Sequence, residues 1–191
     1  MKSVLISIQP YYVFLIIAKI MGWDIGKEKT VEVRKNYPKD KSWNKIARIY
    51  CSKNKQSFNQ IPKEYQPLMR QFLGKVIGEF VCDKVYYWKY NWDRGVMHIQ
   101  DMSELSCVSV DDLLKYSNNA KNILYGWHIS NLVIYEEPKE LSEFYVWKKC
   151  NSCRETGYES TACCYDEDCK VPAVITRPPQ SWCYVEGDEG K

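Results

Sequence analysis

Two cationic side chains and one carboxylate, at positions 29, 34 and 32, lie inside the stretch GKEKTVEVRKN of residues 26–36. Residues 30–35 alternate between polar and apolar, so an extended strand places Glu32 and Arg34 on one face and two valines on the other. A lysine, a carboxylate and a guanidinium brought together can bind phosphate, pair with a base or transfer a proton. The alternative is a half-buried strand with a solvated Glu/Arg pair on its outer face.

Several segments in order resemble one protein family. The run GKEKTVEVRKNYP, preceded by ISIQPYY, is similar to the signature of the ASCH domain in the PUA-like superfamily. GKVIGEFVCD, YGWHIS, PKELSEF and RPPQSWCYVE, which begin at positions 74, 125, 138 and 177, resemble later segments of small ASCH proteins from Gram-positive bacteria and their phages. The resemblance covers about residues 1–185. It implies an α+β fold: a small mixed β-barrel of the PUA-like type with flanking helices, in a single domain of residues 1–191.

The resemblance also implies a pocket built on the polar face of the signature strand. His128 shares a face with Ser130 in an extended chain, which makes it a candidate pocket residue, with a hydrogen-bonded structural histidine as the alternative. The expected ligand-binding residues are Lys27, Lys29, Thr30, Glu32, Arg34, Tyr125, Trp127, His128, Ser142 and Trp182.

Three functions are compatible with that pocket. The first is a binding module for RNA or a nucleotide. The second is a small hydrolase that acts on acylated cytidine or RNA, as some ASCH relatives do, with Lys29 and Glu32 as its catalytic residues. Glu32 stands where the amidohydrolase pattern has a threonine, and the later carboxylate of that pattern falls near Ser106, two residues past Glu104. The missing carboxylate favours the binder. The third is a phage or prophage protein that sequesters a nucleotide signal.

The distribution of charge and of apolar residues also bears on the protein's binding partners and its location in the cell. The net charge of +3 is too small to indicate nucleic acid by itself, but residues 27–55 carry a local excess of seven positive charges. Residues 136–168 carry an excess of five negative charges. The apolar run of residues 11–23 is too short for a membrane span and contains Lys19, so we expect no membrane partner and a cytoplasmic protein.

The hydrophobic pattern predicts the elements that position the site. We expect strands at residues 4–8, 30–35, 46–51, 75–85, 131–135 and 182–185. Helices are expected at residues 11–21, 65–72 and 110–116, the last capped by Ser109. Aromatic residues cluster at 86–92, where packing within a strand is the alternative to base stacking.

A cysteine-rich insert at residues 148–170 predicts a structural zinc site. The separation of Cys150 and Cys153 allows two thiolates to bind one tetrahedral zinc, and Cys164 and Cys169 can supply the other two ligands. Cys163 competes with Cys164 for the third position. Free thiols are the alternative, since nine cysteines in a reducing compartment do not indicate disulfides.

Overall fold

The structure is a computed structural model that describes residues 2–89, 97–149 and 170–186. It contains helices and strands mixed along the chain. Within the described ranges the strands are β1 (Lys2–Ile8), β2 (Val31–Arg34), β3 (Trp43–Cys51), β4 (Val76–Val81), β5 (Val85–Trp88), β6 (Leu124–His128), β7 (Ser130–Lys139), β8 (Tyr145–Lys149), β9 (Lys170–Val174) and β10 (Trp182–Val185). The helices are α1 (Pro10–Ile17), α2 (Lys55–Phe58), α3 (Gln66–Phe72), α4 (Ile99–Ser106) and α5 (Val110–Tyr116), and a 3₁₀ turn spans Leu141–Glu143.

Five strands form the larger sheet, in the order β10-β1-β3-β4-β7. β1 pairs parallel with β3 and antiparallel with β10. Helix α1 lies in the connection that follows β1; it starts at Pro10, which has no N–H to lose, and is apolar nearly all round. Five consecutive residues from Val13 to Ile17 are buried, so this helix packs its length against the sheet.

The two faces of the larger sheet carry separate apolar clusters. Alternation along β1 puts Val4, Ile6 and Ile8 in the main core, which also contains residues of α1, β3 and β4. Leu5 points the other way and packs with Tyr50 and other residues in a smaller cluster. Both faces of β1 are therefore buried, as expected for the central strand of a covered sheet.

A three-stranded antiparallel sheet, in the order β2-β6-β5, carries the signature strand. Val31 and Val33 on one face pack with Met102 of α4 and Leu113 of α5. Gly126 of β6 permits this close packing, because a Cβ there would lie 2.8 Å from Val31 Cγ1. Glu32 and Arg34 lie opposite Trp127 and Tyr125 in the register and face the other way, toward the main core.

The two sheets curve round the main core without closing into one barrel. β6 and β7 are consecutive strands of different sheets, separated only by Ile129, so the chain passes directly from one sheet to the other. Ile129 N–H donates to Thr30 O at 2.8 Å. In the described part of the chain, no β-ladder joins β2 to a strand of the larger sheet, so the expected closed barrel is replaced by two open sheets.

Several predicted elements have different bounds in the structure. The helix expected at 11–21 ends at Ile17, where the chain turns and Trp23 N–H donates to Ala18 O. The strand expected at 75–85 ends at Val81, and the aromatic residues 86–88 lie within β5. The elements at 110–116 and 182–185 are confirmed, while α2, α4, β8 and β9 were not predicted. No described helix has the length and apolarity needed to cross a membrane.

Candidate functional site

The ammonium group of Lys29 is enclosed on all sides. It donates hydrogen bonds to Val31 O and Ser106 O, each at 2.8 Å, and lies 4.9 Å above the Tyr12 ring. Its Nζ is also 3.2 Å from Glu32 Oε2, and the side chain is 1% exposed. Burial lowers the pKa of Lys29, while the Glu32 carboxylate opposes that shift by favouring the charged form.

Glu32 lies between two cations. Its Oε1 atom forms an ion pair with Arg34 Nη2 at 3.0 Å, and its Oε2 atom faces the Lys29 ammonium. Arg34 Nη2 also donates to Ser7 O at 2.5 Å, which ties β2 to the larger sheet. The side chains of Glu32 and Arg34 are 6% and 13% exposed. Lys29, Glu32 and Arg34, which were predicted to meet in one site, therefore form one buried cluster between the two sheets.

This charged cluster is not fully hydrogen-bonded. Among the described residues, Glu32 Oε2, Arg34 Nε and Ser106 Oγ are buried and have no hydrogen-bond partner. Glu32 Oε2 is instead held by the ion pair with Lys29, whose ammonium also donates to two carbonyl oxygens. Buried polar atoms are nearly always paired with protein, water or ligand, so we expect a water molecule or a ligand to complete the hydrogen bonds of these three atoms.

Aromatic side chains lie beside this cluster. Trp182 is half-buried, and its Nε1 donates to Asn36 Oδ1 at 2.7 Å. Tyr125, opposite Arg34 in the register, is half-buried and has its ring centroid 4.8 Å from that of Tyr37. Tyr12 contacts Lys29 from α1, and burial and then the Glu32 charge raise its pKa. Partly exposed aromatic rings next to buried charges can stack on a planar ligand.

The other predicted ligand residues are placed differently. Trp127 is fully buried in the main core, and its Nε1 donates to Asn36 O at 3.3 Å. His128 lies on the opposite face of the small sheet from Glu32, and its Nδ1 contacts Asp83 Oδ1 at 2.6 Å. His128 therefore points away from the charged cluster, whereas Trp127 lies on the same face of the small sheet as Glu32, directly opposite it in the register. The pKa of Asp83 is lowered, chiefly by this hydrogen bond.

Lys27, Thr30 and Ser142 complete the set of predicted ligand residues. Lys27 is exposed in the loop before β2, and the N–H of Thr30 donates to Leu105 O at 2.9 Å. Ser142 lies in the 3₁₀ turn and lines a different cavity, beside Tyr50 and Lys53. The structure thus brings Lys29, Glu32 and Arg34 together, with Thr30 adjacent along the chain, and places Ser142 elsewhere.

Sequence reasoning missed the groups that hold Lys29 in place. Tyr12 lies in the segment ISIQPYY that precedes the signature, so the sequence contained a signal for it. Ser106 is at the position where the later carboxylate of the amidohydrolase pattern falls, and its carbonyl oxygen accepts from Lys29. Backbone carbonyl groups leave no signature in a sequence, so the contacts at Ser7 and Ser106 had no signal.

The predicted zinc ligands Cys150, Cys153, Cys164 and Cys169, and the rival Cys163, lie outside the described residues, as does most of the insert at 148–170. The flanking residues Lys149 and Lys170 are paired between β8 and β9. In the parts that the structure describes, no group of three or more His, Cys, Asp or Glu side chains is arranged for a metal. Cys51, Cys82, Cys107 and Cys183 are free thiols.

Comparisons with known proteins returned solved structures only. No family model and no curated protein matches the chain. ASCH from Zymomonas mobilis aligns with a TM-score of 0.49 and 13% identity, over 96% of this chain and 87% of that one. Two mutant forms of that protein align at 12% identity, with TM-scores of 0.47 and 0.43, over 96% and 97% of this chain and 88% and 91% of theirs. These three structures bear the name of the family that the sequence segments resemble.

Proposed function

We propose that this chain binds RNA or a nucleotide at the buried cluster of Lys29, Glu32 and Arg34. The observation that carries the proposal is the set of unpaired polar atoms around these charges, Glu32 Oε2, Arg34 Nε and Ser106 Oγ. They offer two groups that can accept a hydrogen bond and two that can donate one. A nucleobase edge presents donors and acceptors side by side, so it matches this arrangement.

Different charged residues are assigned to the base and to the phosphate, according to whether they are buried or exposed. Lys29 uses two of its three donors on carbonyl oxygens and contacts Glu32 with the ammonium, so it is not available to a phosphate. Lys27 and Lys35 flank the strand and are exposed. We assign phosphate contacts to these two lysines, and stacking to the half-buried rings of Tyr125 and Trp182.

The test is fluorescence polarisation with a labelled eight-nucleotide single-stranded RNA and with unlabelled nucleotides as competitors. We expect Glu32→Gln to weaken binding by about 1 to 2 kcal/mol, because a neutral acceptor replaces a charged one. Glu28→Gln is the matched control, since Glu28 is exposed and paired with Lys19. Equal losses in the two variants, or no saturable binding of RNA or nucleotide, would contradict the proposal.

A hydrolase is the second candidate, and the lowered pKa of Lys29 is the observation that favours it. Against it, the lysine is fully engaged, and Ser106 supplies a hydroxyl where a carboxylate is expected. We therefore expect acetylcytidine and short RNAs to remain intact with the wild-type protein. Turnover of either that is lost in Glu32→Gln would reverse the ranking, since loss of a general acid/base lowers rates about 10²- to 10⁴-fold. A protein that sequesters a nucleotide signal would use the same site without turnover.

We further propose the structural zinc at Cys150, Cys153, Cys164 and Cys169, on the spacing of these cysteines alone. Four thiolates would close the coordination shell and leave no position for substrate. Elemental analysis of purified protein should find one zinc per chain, and protein without stoichiometric zinc would remove the site.

A further inference from the structure

A second cavity opens on the face of the larger sheet that is turned away from the charged cluster. Its volume is about 560 Å³, within the range of about 300 to 1,000 Å³ typical of small-molecule sites. Its apolar wall consists of Tyr50, Leu141 and Ile175, which belong to the smaller apolar cluster with Leu5. Its lining contains none of Lys29, Glu32 and Arg34, so this cavity is distinct from the site proposed above.

The charged side chains described in the lining are one lysine and one carboxylate, and they differ in their pairing. Lys53 has no carboxylate within 4.0 Å among the described residues. Glu140 is paired with Lys75 at 3.0 Å, and its carboxylate also accepts a backbone N–H of the 3₁₀ turn. Of the two charged groups described in the lining, Lys53 is therefore the one without an ion-pair partner.

The Lys53 side chain passes over Gly74. Gly74 has a φ of +81°, and a Cβ built there would be 2.1 Å from Lys53 Cε. The lysine chain thus lies directly across the glycine, where any other residue would displace it. Next to it, Ser52 Oγ is buried and without a hydrogen-bond partner among the described residues. The hydroxyl groups of Ser142 and Thr176 line the same cavity.

We propose that this cavity binds a small organic anion, either a carboxylate or a phosphate monoester. The ammonium of Lys53 and the Ser52 hydroxyl contact the charged group, with Ser142 and Thr176 as further donors. The apolar part of the ligand lies against Leu141 and Ile175. An unpaired cation and a buried unpaired hydroxyl beside an apolar wall fit a ligand that has one charged end and one apolar end.

The test is a titration of the ¹⁵N-labelled full chain, followed by amide chemical shifts. The probes are phenyl phosphate, benzoate, benzyl alcohol and inorganic phosphate. We expect saturable shifts at residues 52, 53, 74, 141, 142 and 176 with at least one of the two aromatic anions, and binding of benzyl alcohol and inorganic phosphate at least about tenfold weaker. The tighter of the two aromatic anions identifies the preferred headgroup.

Variants at two lysines test the role of charge. Lys53→Gln should weaken binding of the aromatic anions about tenfold, because it removes the ammonium group without an ion-pair partner. Lys63→Gln, at an exposed lysine outside the cavity lining, should leave their affinity unchanged. The proposal is overturned by equal affinities in the two variants, by benzyl alcohol binding as tightly as the anions, or by shifts that appear only at residues 29–34. Because none of these residues belongs to the charged cluster, failure here leaves the RNA or nucleotide site standing.

Discussion

Lys29 keeps its ammonium group inside the protein because three oxygen atoms and one aromatic ring surround it. Two of those oxygens are backbone carbonyls from different elements, β2 and α4, so the lysine joins these elements at the base of the site. We interpret Lys29 as the residue that positions Glu32, with Glu32 and Arg34 as the groups that meet a ligand. A buried charge that has lost one partner is costly, which makes this interpretation testable by stability.

Lys29→Met should lower the free energy of unfolding by about 3 to 5 kcal/mol, since Glu32 then keeps one cation and two carbonyl oxygens lose their donor. Urea denaturation followed by circular dichroism measures this. Lys27→Met, at an exposed lysine two residues earlier, should change stability by no more than about 0.5 kcal/mol.

The double variant Lys29→Met/Glu32→Gln tests whether these two side chains interact. It should be less destabilised than the sum of the single variants, because Glu32→Gln removes the buried anion that has lost its lysine partner. Strict additivity would show that the two side chains do not interact.

The ion pair between Lys2 and Asp40 predicts how stability depends on pH. Hydrogen bonds from Lys2 and then from Ser42 lower the pKa of Asp40 from 3.8 to about 2. A carboxyl group whose pKa is lower in the folded state stabilises the protein above its unfolded value, near pH 4, and loses that contribution as the pH falls toward 2. In ¹³C titrations, Lys2→Met should raise the pKa of Asp40 toward its ordinary value. An unchanged pKa would show that Lys2 is not the cause.

Strand β2 contributes to the site because its two faces make different contacts. One face packs Val31 and Val33 on α4 and α5, and the other carries Glu32 and Arg34 to the gap between the sheets. Alternation in the sequence predicted this division. It did not predict the hydrogen-bond partners of the charged groups. Ser106 O reaches Lys29, and Ser7 O reaches Arg34, only through the tertiary fold.

Gly126→Ala tests how closely β2 packs on β6. The added methyl group would lie 2.8 Å from Val31 Cγ1, so we expect a loss of about 1 to 3 kcal/mol from overpacking. Val31→Ala/Gly126→Ala should lose less than the two single substitutions together, because the smaller side chain makes room. Thermal unfolding measures all three variants. A Gly126→Ala protein as stable as the wild type would contradict this packing.

Errors in the predicted elements have physical causes. The apolar run of residues 11–21 predicted a helix to its end, but the structure turns after Ile17 and leaves Lys19 and Ile20 exposed. Helix α4 was not predicted, although Ile99, Met102 and Leu105 recur at the i, i+3 and i+6 spacing of an amphipathic helix and pack in one apolar cluster. In contrast, Ser109 accepts a hydrogen bond from Asp112 N–H, as its capping sequence predicted.

At the scale of the molecule, Trp127 connects the two sheets. It lies in β6 of the small sheet, yet it is fully buried in the main core beside residues of β1 and β3. Its ring centroid is 5.8 Å from those of both Trp43 and Trp182. We predict from this shared core that the sheets unfold together.

Trp127→Ala should lower the free energy of unfolding by about 3 to 5 kcal/mol, since it removes a large, fully buried side chain. In the wild-type protein, the unfolding transitions followed by tryptophan fluorescence and by far-ultraviolet circular dichroism should coincide. Trp147→Ala is the control, because that side chain is 47% exposed and its loss should cost no more than about 0.5 kcal/mol. Separate transitions for the two signals would show that the sheets unfold independently.

The position of β1, between β10 and β3 in the larger sheet, has a consequence for synthesis on the ribosome. β1 is translated long before its partner β10, and 182 residues separate Ser3 from Val185, whose carbonyl oxygen it contacts. Until β10 emerges from the ribosome, one edge of β1 has open N–H and C=O groups and apolar side chains on both faces, which is the type of edge that pairs with other chains. The nascent chain is therefore expected to need a chaperone, or rapid completion, at the stage when every element except the last strand has been made.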